Sequence, residues 1–181
     1  MIALLAMGLI AAACLLAILI WSLVFPRRRI WPPGRITFLG ETVVWGLTLV
    51  AFASALFLGL ADWNGLGWPA LPRWGVGLPL VVVANLVVWS GVFKIGVAAT
   101  SGAKNTLETD GLYAWSRNPQ YVADMVLFAG WVLWSASLWV MPVAAAGIVV
   151  LVTACFAEEP WLEESYGEAY RAYRSRVRRF L

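Results

Sequence analysis

Between Met1 and Phe25 there is no charged side chain. A helix needs roughly 20 such residues to cross a hydrocarbon core of roughly 30 Å. Apolar stretches of at least this length, each with a single charged residue (Glu41, Lys94 and Asp124), recur from Phe38 to Ala61, from Trp74 to about Ala98 and from Tyr121 to Phe156. Hydrocarbon offers no water to satisfy N–H and C=O groups, so each stretch has to close its own backbone hydrogen bonds as a helix. The expected fold is therefore an all-α integral membrane bundle. Composition agrees: 62% of residues are hydrophobic and 13% charged, with a mean hydropathy of +0.80. A cleavable leader is not expected, because the apolar runs continue along the whole chain and Arg27, Arg28 and Arg29 follow the first run where a leader carries its charges in front.

Length fixes the number of crossings. As one helix, the about 36 residues from Tyr121 to Phe156 would extend about 54 Å, too far for a single span. A helical hairpin is expected, turning near Ser135-Ala136-Ser137 and Met141-Pro142, which gives five transmembrane helices in all. On that plan Arg27, Arg28, Arg29, Arg35, Lys94, Lys104, Arg117, Arg171, Arg174, Arg176, Arg178 and Arg179 share one side and Arg73 lies alone on the other. The positive-inside rule then places the N-terminus outside and the C-terminus in the cytoplasm, with a bacterial or archaeal inner membrane as the expected location. Residues 1–98 form an expected substrate-side unit of three helices, and residues 99–181 an expected cofactor-binding unit.

Several function classes drop out. The chain has no histidine, which removes histidine general-base catalysis and histidine-ligated metal. Cys14 and Cys155 sit inside apolar runs, so no metal site or disulfide is expected. A basic C-terminus beside anionic lipid makes membrane, not nucleic acid, the expected partner. Twelve Trp suit side chains at the hydrocarbon boundary.

Soluble chemistry is confined to two polar segments. In the first, Asn105 to Tyr121, Thr109-Asp110-Gly111 forms a turn, and Pro119 drives Asn118 out of the helical region just before a transmembrane helix. That helix start, with Arg117 beside it, makes an expected anion site; the alternative reading has Asn118 capping the helix and Arg117 on lipid phosphate. In the second, Glu158-Glu159-Pro160 is expected to open a new helix whose apolar stripe is Leu162, Tyr166, Tyr170, Tyr173, Val177 and Phe180. This amphipathic C-terminal helix is expected to lie along the membrane or fold back over the hairpin. Three polar residues in or at the edge of the spans, Glu41, Asn85 and Asp124, are candidate acceptor contacts; for Glu41 an interfacial position is the default, and for Asp124 snorkelling to the nearby boundary is the alternative. For Asn85 a helix-to-helix hydrogen bond is the default, and for Lys94 extension to the interface.

Together these segments resemble the membrane methyltransferase superfamily that contains isoprenylcysteine carboxyl methyltransferases and phospholipid methyltransferases. The matching residues are Gly111 and Tyr113, Arg117-Asn118-Pro119-Gln120-Tyr121, Glu158-Glu159 with Leu162, Tyr166-Gly167 with Tyr170 and Tyr173, and Arg176-Val177. Asn118 stands where the family usually has His, Ala123 where it has Gly, and the chain stops at Phe180-Leu181 where a proline often follows. The resemblance implies an S-adenosyl-L-methionine-dependent methyltransferase acting on a membrane-embedded lipid or prenylated small-molecule acceptor. It also implies a cofactor site of Gly111, Tyr113, Arg117, Asn118, Pro119, Gln120, Tyr121, Glu158 and Glu159, with Arg117, Glu159 and Arg176 nearest the chemistry. Sterol reductases are similar to the C-terminal half, which keeps an NADPH-dependent reductase as a second reading; a non-catalytic lipid-binding protein is the third. Oligomeric state is left open.

Overall fold

The computed structural model describes residues 1–32, 38–96 and 106–181. Arg35, Lys104, Asn105 and the expected boundary between residues 98 and 99 lie outside the described residues. Helix α1, Ile2–Val24, ends where Pro26 follows Phe25, since the residue before a proline disfavours helical dihedrals. Helix α2, Phe38–Ala61, leads into a turn at Asp62 to Leu66. A π-helical turn, Leu71–Gly77, runs directly into α3, Leu78–Ile95. After a short 3₁₀ turn at Gly111–Ala114 come α4, Pro119–Ser135, and α5, Val140–Tyr166; the short α6, Glu168–Arg174, is last. Four helical stretches have the length and apolarity to cross a membrane: Ile2–Val24, Gly40–Ala61, Leu71–Lys94 and Val140–Tyr166. Helix α4, with 17 residues, extends about 25 Å.

Helix α1 packs against α2 and α5, and α4 lies between α3 and α5. Leu58, Phe128, Val140 and Val143 are the centre of the apolar core. The helices approach closely through small residues, as membrane helices do in the absence of a hydrophobic drive between them. A Cβ on Gly77 would lie 2.5 Å from the Trp134 backbone nitrogen, and one on Gly130 would lie 2.9 Å from Leu80 Cβ. Phe93 and Leu71, about four-fifths exposed, point outward. Large apolar side chains so exposed belong in lipid.

The hairpin turns at Ala136 to Trp139, within the expected region, with Ala136 in the left-handed region at φ 46°; Met141-Pro142 lies in the first turn of α5, where proline needs no N–H. Two expectations are corrected. No helix begins at Glu158, because α5 carries straight through Pro160 to Tyr166. The C-terminal helix is instead broken at Gly167, whose φ of 56° suits a residue without a Cβ. The stripe keeps its inward sense across the break: Tyr170 and Tyr173 are buried.

At one end of the bundle the turn after α2 is tied to the hairpin turn. Asn64 N–H donates to Ser135 O at 2.7 Å and Leu66 N–H to Ala136 O at 3.0 Å, while Ser137 Oγ donates to Asp62 Oδ2 at 2.7 Å. Arg73 is at this end, bonded to Trp134 O. Arg117, Arg174 and Arg179 gather at the other, with Glu158 and Glu159.

Candidate functional site

Glu158 and Glu159 are neighbours on α5, so their side chains diverge by about 100° and enter different surroundings. Glu158 faces α4 and the segment that follows α1. It accepts hydrogen bonds from Trp31 Nε1 at 2.9 Å and from the Tyr121 hydroxyl. Trp31 is itself fixed through its backbone N–H to Ser22 Oγ at 3.1 Å.

Glu159 faces the opposite polar segment and is only 8% exposed. Arg117 donates to its Oε1, and Arg179 holds both oxygens, Nε to Oε1 at 2.8 Å and Nη2 to Oε2 at 2.6 Å. Arg117 also donates from Nη1 to the carbonyls of Arg174, at 3.1 Å, and Val177, at 2.8 Å. Two guanidinium groups against one carboxylate leave one positive charge in excess. Arg179 lies over the Phe156 ring, 3.9 Å from its centroid, and its hydrogen bonds to the Glu159 carboxylate raise its pKa.

The C-terminal chain is sewn to the loop before α4. Arg117 N–H donates to Arg178 O at 2.9 Å, and Asn118 Nδ2 to Arg179 O at 3.0 Å. Ser116 Oγ accepts from Asn118 N–H at 3.1 Å and donates to Arg179 O at 3.3 Å. Tyr173 hydroxyl donates to Tyr113 O at 2.7 Å. Burial pushes the Tyr173 phenol up to about 12, and burial with the nearby Glu159 charge pushes Tyr170 up to about 12. Both phenols therefore remain protonated at neutral pH.

Several polar groups beside this cluster lack partners among the described residues. Arg117 Nε, Gln120 Nε2 and the Tyr170 hydroxyl are buried without a hydrogen bond. The first turn of α4 adds the N–H groups of Gln120 and Tyr121, which find no acceptor among the described residues. Gln120 also receives the Tyr113 hydroxyl on Oε1 at 3.4 Å, and its side chain abuts Gly91 of α3, where a Cβ would lie 2.6 Å from Cγ. Gly111, at φ 62°, brings the chain close to Lys94, whose Nζ would lie 3.1 Å from a Cβ there. Lys94 donates to Asp110 O at 3.0 Å and pairs with Glu108 at 2.9 Å, so it is tied to this loop.

The structure thus brings together Gly111, Tyr113, Arg117, Asn118, Pro119, Gln120, Tyr121, Glu158 and Glu159. Arg176 is exposed, and among the described residues its side chain bonds only to Ala172 O, at 3.2 Å on its own helix turn; the arginines beside Glu159 are Arg117 and Arg179. Asn118 occupies the N-cap position of α4 but its side chain caps nothing, being engaged with Arg179 O. Asn85 is exposed and bonds to Val81 O at 3.0 Å on its own helix, not to a neighbouring one. Asp124 is half-buried one turn beyond Gln120 on α4, with no hydrogen bond or ion pair among the described residues, and Glu41 lies in the first turn of α2. Sequence reasoning gives no site role to Trp31, Ser116 and Arg179. Their partners are 127, 63 and 20 positions away, beyond any local pattern.

The family model for phospholipid methyltransferases matches residues 72–169, more than half of the chain, including the first polar segment and the start of the second with Glu158 and Glu159. The chain is 30% identical over 128 residues to the protein-S-isoprenylcysteine O-methyltransferases of Mus musculus and Homo sapiens. These alignments cover 61% of this chain and 43% of each relative, so less than half the length of those curated proteins is represented. No solved structure matches the chain.

Proposed function

Because the chain belongs to the phospholipid methyltransferase family, we propose that it is an S-adenosylmethionine-dependent methyltransferase of the membrane, acting on a lipid or prenylated acceptor. The observation that carries this reading is the meeting, at one end of the bundle, of the Arg117-Asn118-Pro119 corner with Glu158-Glu159. These segments are 42 positions apart at Arg117 and Glu159, and both fall within the matched region.

The residues present fit the cofactor. A methionyl carboxylate suits the excess positive charge of the Arg117, Glu159 and Arg179 cluster, the open first-turn N–H groups of α4 and the unpartnered Arg117 Nε. The unpartnered Gln120 Nε2 and Tyr170 hydroxyl can donate to further oxygen or nitrogen acceptors. S-adenosylmethionine supplies a methyl group on a sulfonium. The chain's residues contribute alignment and exclusion of water, which suffice for an in-line displacement in which positive charge is dispersed. Arg117 and Arg179 are already engaged with Glu159, so they act by holding the loop and the tail in place. In this reading the acceptor arrives from the bilayer and the cofactor end faces the cytoplasm.

Calorimetry of S-adenosylmethionine binding to the detergent-purified chain tests the site, with Gln120→Ala as the variant. Wild type binds and Gln120→Ala binds about tenfold more weakly, the loss of one hydrogen bond to a charged or polar partner. Absence of wild-type binding, or failure to transfer a labelled methyl group to any fraction of the host lipid extract, would refute the proposal.

A further inference from the structure

Arg73, at the end of the bundle remote from Glu159, is a buried cation without a counter-charge among the described residues. It is 6% exposed. Its Nε donates to Trp134 O at 3.1 Å and its guanidinium lies 5.0 Å above the Trp63 ring. Nη2 is buried with no acceptor, as are the neighbouring Trp134 Nε1 and Ser135 Oγ. Asp62 is the nearest acid along the chain, and it forms no ion pair with Arg73; its carboxylate accepts the Ser137 hydroxyl at 2.7 Å.

A largely buried guanidinium whose contacts among the described residues are ring electrons and one carbonyl is poorly compensated, and an anion is the group that would complete it. Its depth says which anion. Arg73 packs on the last turn of α4 through Trp134, while Arg117 immediately precedes the first turn. The 17 residues between rise about 25 Å, close to the hydrocarbon thickness of roughly 30 Å. With Arg117 at one headgroup level, Arg73 is at the other. The rings of Trp63, Trp74, Trp131 and Trp134 cluster here with neighbouring centroids 5.6 to 6.2 Å apart, and Trp63 and Trp74 remain 38% and 49% exposed, in the manner of an interfacial aromatic belt.

We propose that Arg73, with the indole N–H of Trp134 beside it and Trp63 and Trp74 flanking, binds the phosphate of a membrane lipid at the end of the bundle opposite the methyl-transfer site. Arginine suits this role because its planar fork can offer two N–H groups to one phosphate.

Native mass spectrometry and melting of the full chain in detergent test the proposal with phosphatidylglycerol, diacylglycerol of the same acyl chains, and inorganic phosphate. Phosphatidylglycerol is retained and raises the melting temperature, whereas diacylglycerol and inorganic phosphate do neither. Arg73→Gln lowers retention about tenfold, and Trp134→Phe, which keeps an aromatic ring but loses the N–H, lowers it severalfold. If Arg73→Gln does not fold, Trp134→Phe and the wild-type lipid comparison decide. Diacylglycerol retained as well as phosphatidylglycerol, equal protection by inorganic phosphate, or Trp134→Phe retaining lipid like wild type would overturn it.

Discussion

Truncating Arg117 and truncating Arg179 remove the two partners of one carboxylate, yet they should differ severalfold in cost. The Arg117 side chain is 8% exposed and makes three hydrogen bonds, to Glu159, Arg174 O and Val177 O. Removing it leaves two carbonyls and part of a carboxylate unpaired in a dry setting, so Arg117→Ala should cost about 3–5 kcal/mol. The Arg179 side chain hydrogen-bonds only to Glu159 among the described residues and is 30% exposed, so water replaces much of what is lost and Arg179→Ala should cost about 1–2 kcal/mol. Each single variant still leaves Glu159 one guanidinium; the double variant leaves it none. The two costs should therefore exceed additivity by about 1–2 kcal/mol, in the range seen for residues sharing a partner. Reversible unfolding in mixed micelles, followed by helical circular dichroism, measures all three. Strictly additive costs, or an Arg179→Ala cost equal to that of Arg117→Ala, would show that Glu159 does not couple the two arginines.

Two further outcomes follow from local geometry. Gly77→Ala should destabilise by about 1–3 kcal/mol, because its Cβ would meet the Trp134 backbone; Gly46→Ala, with nothing within 4 Å, is the control, and equal melting temperatures for the two would contradict the packing. Lys94 holds the Glu108 carboxyl below its usual range, chiefly through their hydrogen bond. A lowered folded-state pKa contributes stability above the unfolded carboxylate value of about 4.3 and loses it as pH falls through the folded value. The melting difference between wild type and Glu108→Gln should thus be steady at neutral pH and close in acid; a difference that grows in acid would reverse the assignment.

What the sequence could reveal followed the reach of each signal. Hydrophobic length exposed the apolar spans and demanded a hairpin, because helix rise and bilayer thickness are independent of context. The corner at Asn118 was legible because a proline constrains the residue immediately before it, whatever the rest of the fold does, and Pro119 acts on Asn118 in this way. Pro160 misled for a related reason: a proline is compatible with a first turn, but tertiary packing on Tyr121, Trp31 and Arg117 keeps α5 continuous through it. The contact between Arg179 and Glu159 was beyond local reading, because Arg179 is one of several arginines in a basic tail and the break at Gly167 and the short turn after α6 bring it there.

That tail explains what an asparagine does at position 118. The seam between the loop and the C-terminal chain needs a donor at Asn118 for Arg179 O, while the backbone N–H of the same residue is already engaged by Ser116 Oγ. A carboxamide supplies the donor without a titrating group. With Tyr173 held protonated by burial and donating to Tyr113 O, the hydrogen bonds that close the seam all come from groups whose charge is fixed across the physiological range. The pH response of this corner then rests on its acids, and Glu159 is the one whose two arginines join the loop, the helix α5 and the tail into a single unit. On the proposed function, a cofactor carboxylate entering here meets a positive charge that the fold has already oriented, so binding need not assemble the site before chemistry begins.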